Sequence, residues 1–337
     1  MRTLVIGGTG NISKGIVTAL LARNHEVILF NRGQHPDPPP PDVQVVIGDR
    51  QQRDDFEAKV RALRLDFVID MISLTAEDAA SALRACRGRV AHFVHCSTVM
   101  TYGPPFAGVN LTETAPLNGT SPYARGKQAA DALLLRAYAE EGFPVTIVKP
   151  SLTYGPSWRV LRQVNYDNDP WLDRLRKGKP ILSAGDGTNY FQFLNSRDAG
   201  VAFAAMLGRQ PCIGQVYNLV HPEPQTWDTW HRAAAAAMGV EAEIVHVAQD
   251  TLIAIDPARF GRLRDNFGHT QIYSGARLAR DVPEFQPKVD LVAGLAEAIA
   301  WMERHNRIID SDSDDLEERI IAAVRELPRH VRTSAAG

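Results

Sequence analysis

The chain has 337 residues, of which 45% are hydrophobic and 23% are charged, and its formal net charge is −2. This length accommodates one large and one smaller domain, and the near balance of charge predicts neither a nucleic acid nor a membrane as a partner. The first strand begins too early for a signal peptide, and the three scattered cysteines are typical of a reducing compartment. A cytoplasmic protein is expected. No metal site is expected either, since no cluster of ligating residues has metal spacing.

Short apolar runs alternate with segments of helical periodicity over the first 150 residues. The apolar runs predict strands over residues 3–6, 26–30, 43–47, 67–71, 90–96 and 145–148. The segments between them predict helices over residues 12–23, 54–63, 76–86 and 123–141. Apolar strands separated by helices are buried on both faces, so the pattern predicts an α/β fold with a Rossmann-type, doubly wound parallel sheet.

The pattern becomes irregular after Pro150. Two short strands, 191–194 and 216–219, are predicted to return to the sheet, with a helix between them. The predicted division is a Rossmann domain over 1–155 with returning segments near 191–220, a smaller C-terminal substrate-binding lobe over 156–190 and 221–327, and a flexible tail over 328–337.

A glycine-rich loop joins the first predicted strand to the first predicted helix, which is the context that a dinucleotide site requires. Gly7 permits a tight turn, and Gly10 lets the backbone approach a pyrophosphate, to which the helix N-terminus offers amide donors. Ser13 occupies the place of the usual third glycine. The loop therefore predicts a pyrophosphate site, and the alternative is a glycine turn without a ligand. The predicted cofactor contacts in this loop are Gly7, Thr9, Gly10, Asn11 and Ile12.

The ends of the second and third predicted strands bear on the choice of nucleotide. Asn31-Arg32 contains no acid of the kind that binds the ribose hydroxyls of NAD, and the Arg32 guanidinium suits a 2′-phosphate. The cofactor is therefore predicted to be NAD(P), with NADP favoured and NAD as the alternative; Arg32 as a solvated turn residue is the other interpretation. Asp49 is expected to accept a hydrogen bond from the adenine amino group, and Arg50 to cover the ring.

Tyr123 and Lys127 lie four residues apart, on one face of the long predicted helix. A nearby ammonium lowers the pKa of a tyrosine, which allows Tyr123 to act as a general acid or base on a hydroxyl or a ketone. Lys127 can also hold the nicotinamide ribose, and Thr98 can donate a hydrogen bond to the same substrate oxygen. A Tyr and a Lys at this spacing are common by chance, so the prediction depends on their combination with Thr98 and the glycine loop.

These motifs together resemble the extended short-chain dehydrogenase/reductase family, in its NAD(P)-dependent epimerase/dehydratase branch. The matching segments extend over nearly the whole chain and include Gly7-Gly8-Thr9-Gly10, Gly48-Asp49-Arg50, Ser97-Thr98, Tyr102-Gly103, Tyr123 with Lys127, Pro150, Tyr154-Gly155-Pro156 and Asp198-Ala199-Gly200. The resemblance implies a catalytic set of Thr98, Tyr123 and Lys127, and a contact between Pro150 and the cofactor. It also implies a small-molecule substrate and a homodimer formed through the helix that carries the tyrosine.

Three departures from the family pattern narrow the chemistry. Val99-Met100 stands where sugar 4,6-dehydratases carry an Asp-Glu pair, so elimination of water lacks its catalyst. Phe191-Gln192 replaces an Arg-Asp pair that grips a diphosphate, although Arg159 is among the arginines that could substitute. Ser73 follows an unusual strand end, and it is expected to face the nicotinamide or the substrate. Trp158 is a candidate wall for a sugar ring, with packing of the lobe as the alternative.

Three functions remain open. The first is an epimerase of a sugar or nucleotide-sugar-like substrate, which oxidises a hydroxyl to a ketone and then returns the hydride. The second is an NADP(H)-dependent reductase or dehydrogenase, which an NADP preference favours. The third is a non-catalytic RNA-binding family member, against which Thr98, Tyr123, Lys127 and the slightly acidic charge all argue. The epimerase is preferred, mainly on the family resemblance.

Overall fold

The computed structural model describes the backbone of residues 1–164 and 167–334 and the side chains of residues 1–164 and 167–327. The chain divides into two compact units. Unit 1 consists of Met1–Trp158, Gln192–Glu223 and Ile272–Val289, and unit 2 consists of Arg159–Phe191, Pro224–Gln271 and Asp290–Gly337.

The regular elements follow the chain from a first strand near the N-terminus to a long last helix. The strands are β1 (Arg2–Ile6), β2 (Glu26–Asn31), β3 (Gln44–Ile47), β4 (Phe67–Asp70), β5 (His92–Cys96), β6 (Val145–Pro150), β7 (Leu152–Tyr154), β8 (Ile181–Ala184), β9 (Tyr190–Phe191), β10 (Phe193–Asn195), β11 (Val216–Leu219), β12 (Gln225–Thr226) and β13 (Ile244–Val247). The α-helices are α1 (Asn11–Ala22), α2 (Arg53–Ala62), α3 (Ala76–Cys86), α4 (Pro122–Glu141), α5 (Trp171–Arg176), α6 (Ser196–Met206), α7 (Trp227–Ala237), α8 (Gln249–Ile255), α9 (Pro257–Phe260), α10 (Arg262–Asp265), α11 (Ala276–Asp281), α12 (Leu291–Arg304) and α13 (Leu316–Ser334).

Unit 1 is built on a seven-stranded sheet in the order β11-β6-β5-β4-β1-β2-β3. All of its strand pairs are parallel, and Thr3 of β1 lies opposite Val27 on one side and Phe67 on the other. Apolar side chains cover both faces, with α1 and α6 contributing to one core and α2, α3 and α4 to the other. The predicted α/β fold with a doubly wound parallel sheet is therefore confirmed. Its strands also end at one edge, where ligands bind in such sheets.

The contact between α1 and α6 fixes the helix that follows the glycine loop. A Cβ added to Gly15 of α1 would lie 1.8 Å from the backbone oxygen of Ser196, and one added to Gly200 of α6 would lie 2.1 Å from the carbonyl carbon of Gly15. Two glycines therefore allow the helices to touch through their backbones. Any larger residue at either position would force α1 away and displace the loop.

Two strands, 191–194 and 216–219, were predicted to return to the central sheet. The prediction is wrong for 191–194 and is confirmed for 216–219. The segment is divided at Gln192 into β9, which pairs antiparallel with β12, and β10, which pairs with β7 in a separate two-stranded sheet. The division has a physical cause, because the buried Gln192 side chain donates to the carbonyls of His221 and Tyr273 and accepts from the Tyr273 amide. β11, in contrast, joins the central sheet beside β6.

Residues 272–289 belong to unit 1, whereas the sequence assigned them to the substrate-binding lobe. Leu278 and Val282 are fully buried in a core of the central sheet, and the Tyr217 hydroxyl donates to Asp281 at 2.9 Å. In unit 2, a buried arginine, Arg162, pairs with Glu317 at the start of α13. That helix continues to Ser334, beyond the predicted start of a tail at 328. Residues 335–337 of the predicted tail lie outside the described residues.

Candidate active site

The glycine loop lies at the carboxyl edge of β1, and the geometry of its turn requires Gly7. Gly7 has φ +80°, and a Cβ there would meet the Ile72 side chain at 2.6 Å. Gly10 precedes α1 and supplies no side-chain cap, in contrast to Thr75 and Ser121, which cap α3 and α4. The first amides of α1 therefore have no intrahelical or side-chain acceptor, which is the donor arrangement that suits an anion.

Ser13 explains how the loop forms without a third glycine. It is 2% exposed, and its hydroxyl donates to the Gly7 carbonyl at 2.8 Å. Asn11, at the start of the same helix, donates through Nδ2 to the Thr153 carbonyl at 2.9 Å. The loop is therefore tied both to its own first residue and to the strand β7.

The end of β2 carries the two residues predicted to contact the adenosine end of the cofactor. Asn31 uses its side-chain oxygen to accept from the Gly33 amide at 2.8 Å, which shapes the turn. Arg32 is exposed and makes no hydrogen bond or ion pair with the residues that the structure describes. Its guanidinium is therefore available to a ligand at this turn.

Arg50 has a different position from the one predicted over the adenine ring. It is 4% exposed, and Nη1 donates to both oxygens of Asp70, at 3.0 and 3.1 Å, while Nη2 donates to the Asp78 carbonyl at 2.6 Å. The Arg50 guanidinium therefore tethers the ends of β4 and α3. Asp49, the neighbouring predicted contact, is half-buried and accepts from the Gln51 amide.

Ser73 faces the protein interior, which corrects the expectation that it faces the nicotinamide or the substrate. The residue has no exposed surface, and its hydroxyl donates to Asp70 Oδ2 at 2.6 Å. The Asp70 carboxylate also accepts from the Ile72 and Ser73 amides. Because Asp70 holds Arg50 as well, the side chain of Ser73 completes a buried ion cluster and has no free face to offer a ligand.

Helix α4 carries the predicted proton donor. Ser121 accepts from the Ala124 amide and Pro122 occupies the first turn, so the helix begins one residue before Tyr123. Gly126 permits a close approach, since a Cβ there would lie 2.2 Å from the Leu74 carbonyl oxygen. Tyr123 is 42% exposed, whereas Lys127, one turn later, is 1% exposed and donates to the Cys96 carbonyl at 2.5 Å.

Thr98 follows β5 and lies beside Tyr123. Its hydroxyl oxygen accepts from the Met100 amide at 3.2 Å, so the hydroxyl proton is left to donate elsewhere. Although Tyr123 is partly exposed, desolvation raises the pKa of its phenol to about 12, the Cys96 thiol acts in the same direction, and a hydrogen bond with Thr98 opposes them. The lowered phenol pKa expected from the sequence is therefore absent. Burial in turn lowers the pKa of Lys127.

A cavity of about 350 Å³ brings much of the predicted site together. Its lining includes the predicted residues Gly7, Gly10, Asn11, Ile12, Thr98, Tyr123, Lys127, Pro150 and Trp158. Met71 and Ile72, from the run after β4 that the family resemblance placed beside the cofactor, also line it, as do Ser151 and Thr153, which no sequence pattern had indicated. Thr9 lines a neighbouring pocket with Lys14. Asn31, Arg32, Asp49, Arg50 and Ser73 do not line the cavity, and Arg159, in unit 2, pairs with Asp167.

The residues present suit a nicotinamide dinucleotide. The space beside Gly10 is open, since the nearest group to an added Cβ is Ser13 Oγ at 3.7 Å. This open space at the uncapped start of α1 suits a pyrophosphate. The same cavity extends to Tyr123 and Lys127, where the nicotinamide end would lie. Among the described residues, no group of His, Cys, Asp and Glu could hold a metal ion, and no helix is long and apolar enough to span a bilayer.

Comparisons with known proteins agree with this geometry. The model of the NAD dependent epimerase/dehydratase family matches residues 3–219. A 2′-dehydrokanamycin reductase from Streptomyces kanamyceticus is 29% identical over 329 residues, which cover 97% of this chain and 90% of the relative. A chloroplast stem-loop binding protein of 41 kDa from Arabidopsis thaliana is 26% identical over 316 residues, which cover 88% of this chain and 78% of the relative.

The fold is also similar to that of solved structures. An epimerase from Methanothermobacter thermautotrophicus superposes with a TM-score of 0.72 at 16% identity, over 91% of this chain and 93% of that one. The family match covers well over half of the chain and includes the whole glycine loop and the Tyr–Lys pair. The chain is therefore an enzyme of the NAD dependent epimerase/dehydratase family, within the extended short-chain dehydrogenases/reductases.

Proposed function

We propose that this enzyme reduces a ketone on a sugar or sugar-like substrate, with NAD(P)H as the hydride donor. One observation carries the proposal. Thr98, Tyr123 and Lys127 line the same cavity as the glycine loop, and that lining contains no carboxylate. In such a cavity Tyr123 can donate a proton and Thr98 a hydrogen bond to a carbonyl oxygen, and the described lining has no carboxylate to serve as a base for elimination or enolisation.

Each of the three side chains has a separate role in the proposed reaction. Bound reduced nicotinamide supplies the hydride to the carbonyl carbon. Tyr123 donates its phenolic proton to the carbonyl oxygen, so ketone, hydride and proton give the alcohol and oxidised cofactor. Thr98 donates a hydrogen bond to the same oxygen and stabilises its developing charge. The Lys127 ammonium lies below the tyrosine and favours the phenolate left after proton transfer.

The protonation state of Tyr123 in the ligand-free site is compatible with reduction. Its phenol pKa of about 12 keeps the proton on the oxygen throughout the neutral range. A protonated phenol is the form needed to reduce a ketone, whereas oxidation of an alcohol needs the phenolate. The reductase among the relatives, which is aligned over 90% of its own length, supports the same choice.

A dehydratase is not proposed, although the family name includes that reaction. Val99 and Met100, which stand in place of the acid pair, form a short 3-10 turn with Thr101, and Val99 is 3% exposed. Neither side chain carries a group that can move a proton. A non-catalytic RNA-binding role is likewise not proposed, because the net charge of −2 offers no excess of cations to a phosphate backbone.

An epimerase is the second candidate, and the presence of a single hydride site with a single proton donor is compatible with it. Such an enzyme would oxidise a hydroxyl and return the hydride to the other face of the same carbon. NADP is proposed as the preferred nucleotide, because the Arg32 guanidinium is exposed at the end of β2. The homodimer and the cytoplasmic location predicted from the sequence are retained as predictions.

The proposal is tested by mixing the purified enzyme with reduced cofactor and a panel of keto sugars and keto aminocyclitols. A reductase consumes one reduced cofactor for each alcohol formed, and consumption stops when the ketone is exhausted. An epimerase interconverts hydroxyl epimers with no net change in reduced-cofactor absorbance. If no ketone in the panel is reduced and no alcohol is epimerised, both proposals fail for this class of substrate.

A further inference from the structure

A buried ion pair lies directly behind Thr98, and the proposed reaction does not use it. Asp131 of α4 and Lys149 of β6 are each 3% exposed, and the Lys149 ammonium lies 3.2 Å from Asp131 Oδ2. His95 of β5, which has no exposed surface, places Nε2 3.4 Å from Asp131 Oδ1. Burying such a pair costs desolvation free energy that packed apolar side chains would not lose, so the pair is poorly explained by stability alone.

The pair reaches the segment that carries Thr98 by two routes. On one side, Ser97 donates through Oγ to Asp131 Oδ2 at 2.7 Å. On the other side, Lys149 donates to Thr101 Oγ1 at 2.7 Å, and that hydroxyl in turn donates to the Thr98 carbonyl at 2.9 Å. Thr98 is therefore held between two residues, Ser97 and Thr101, that are both bonded to the same ion pair.

One face of α4 holds the chain around Thr98 through two hydrogen bonds. Tyr123, Lys127 and Asp131 follow one another at four-residue spacing, which places them on one helix face. Tyr123 lines the same cavity as Thr98, Lys127 donates to the Cys96 carbonyl, and Asp131 accepts from Ser97. Cys96 at the end of β5 and Ser97 directly after it are thus hydrogen-bonded to two successive turns of the helix, and Tyr123 lies one turn further toward the start of α4.

Charges from the neighbouring elements also converge here. Cys96, Asp70 of β4 and Asp131 of the same helix favour the charged form of Lys127, whereas Arg50, whose guanidinium is bound to Asp70, opposes it. The two carboxylates oppose the effect of burial on Lys127 and favour its ammonium form. Loss of Asp131 would therefore change the charge around Lys127 as well as the position of Ser97.

We propose that Asp131 and Lys149 form a positioning pair, which fixes residues 97–101 from two sides and thereby holds the Thr98 hydroxyl in place against Tyr123. The functional meaning of the pair rests on the proposed ketone reduction. Its structural part, the immobilisation of Thr98, is independent of any substrate. An experiment can therefore test the two separately.

The test compares both single variants with the double variant Asp131→Asn/Lys149→Met. Each single variant leaves one buried charge unpaired and should be strongly destabilised, whereas the double variant removes both charges and should unfold at a urea concentration much closer to that of the wild type. Hydrogen exchange of the Met100 amide, which bonds to Thr98 Oγ1, and of the Thr101 amide, which bonds to the Thr98 carbonyl, then reports on the segment itself.

The expected result is that both amides exchange at least about tenfold faster in the double variant, although its global stability is close to that of the wild type. With a reducible ketone, turnover should fall by about ten- to a hundredfold with little change in KM, as expected for lost positioning. Unchanged exchange at both amides would overturn the proposal, and so would wild-type turnover. If the wild-type enzyme reduces no ketone, the exchange result still decides the positioning claim.

Two further double variants complete the test, one that removes both hydrogen-bond links to the ion pair and one that serves as a control. Ser97→Ala combined with Thr101→Val cuts both links and leaves the ion pair intact, so it should reproduce the faster exchange even if the charge variants do not fold; unchanged exchange in this variant would overturn the proposal. The exposed pair Asp55 and Lys59 on α2 serves as the matched control. Asp55→Asn/Lys59→Met should leave both the amide exchange and the turnover unchanged.

Discussion

The hydroxyl of Ser13 donates a hydrogen bond to the carbonyl of Gly7 at 2.8 Å, and this contact replaces the third glycine of the dinucleotide-binding loop. Ser13 lies in the first turn of α1 and is 2% exposed. A glycine at this place would allow close packing of the helix, whereas the serine both packs closely and satisfies a carbonyl of the turn. Ser13, which stands in place of the usual third glycine, therefore still allows α1 to pack closely against the loop.

Ser13→Ala should lower the free energy of unfolding by about 1–3 kcal/mol, because the Gly7 carbonyl would lose its buried partner. Affinity for NAD(P)H should fall as well, since the loop that receives the pyrophosphate is less firmly held. Urea unfolding and fluorescence titration measure the two effects. Thr18→Ala, at an exposed position on the same helix, is the matched control and should change stability by less than about 0.5 kcal/mol. Equal effects of the two substitutions would contradict the role given to Ser13.

Tyr123→Phe should abolish ketone reduction while the fold and the binding of reduced cofactor stay nearly intact, because only the proton donor is removed. Thr98→Val should reduce turnover by roughly ten- to a thousandfold, the range for loss of one donor to a developing oxyanion. Steady-state kinetics and cofactor titration separate the two outcomes. Tyr138→Phe, on the same helix, should retain full activity. Retention of more than about a tenth of wild-type turnover by Tyr123→Phe would remove the phenol from the mechanism.

Arg32→Ala should weaken the binding of NADPH by about 1.5–3 kcal/mol and leave the binding of NADH nearly unchanged, because only NADPH carries the 2′-phosphate. Calorimetric titration of both nucleotides against both proteins measures the difference. Arg64→Ala, at another exposed position, should leave both affinities as they are. Equal affinities of the wild-type enzyme for NADH and NADPH would reject the NADP preference.

His92 should make the stability of the enzyme depend on pH. Its Nδ1 accepts from the Gly208 amide at 3.1 Å, and its Nε2 bonds Thr146 Oγ1, whose own proton is donated to the Cys212 carbonyl. This arrangement needs the neutral ring, and burial lowers the pKa of His92 from 6.5 to about 4.

The sign of the effect follows from that lowered pKa. Above pH 6.5 the ring is neutral in the folded and the unfolded chain, and its full contribution to the free energy of unfolding is present. As the pH falls toward 4, the unfolded chain binds a proton at His92 and the folded chain does not, so the free energy of unfolding decreases. The loss attributable to His92 should be about 2–3 kcal/mol. Urea unfolding of wild type and His92→Gln across this pH range measures it. Parallel curves for the two proteins would show that His92 does not titrate in this way.

The parts of the structure that repeat along the chain were predictable. Parallel strands and their helices carry a periodic apolar pattern, and the helix predicted over 76–86 has the bounds of α3, which a capping box of Thr75 and Asp78 precedes in the structure. The Tyr123–Lys127 pair was predictable because four residues make one helical turn. The pair lines the same cavity as the glycine loop because parallel strands end at a common edge of the sheet.

The buried polar contacts were not predictable from local patterns. Arg50 and Ser73 were both expected to face ligands, yet Asp70 binds the two of them inside the protein. Arg50 is twenty residues from Asp70, so no local pattern indicates their contact. Ser73 is only three residues from Asp70, but the turn after β4 that directs its hydroxyl inward has no periodic pattern. The phenol pKa of Tyr123 was expected to fall because Lys127 is visible in the sequence. The desolvation that raises this pKa depends on the folded structure and is not visible there.

Transfer of deuterium from NAD(P)D, labelled at the transferred position of the nicotinamide, tests the central claim most directly. The enzyme should place one deuterium on the carbinol carbon of the product for each cofactor oxidised, on a single face, and Tyr123→Phe should bind the labelled cofactor without transferring it. Mass spectrometry and proton NMR of the product read both the amount and the position. Product that forms without deuterium at that carbon, or without loss of reduced cofactor, would contradict the assignment of this enzyme as a ketone reductase.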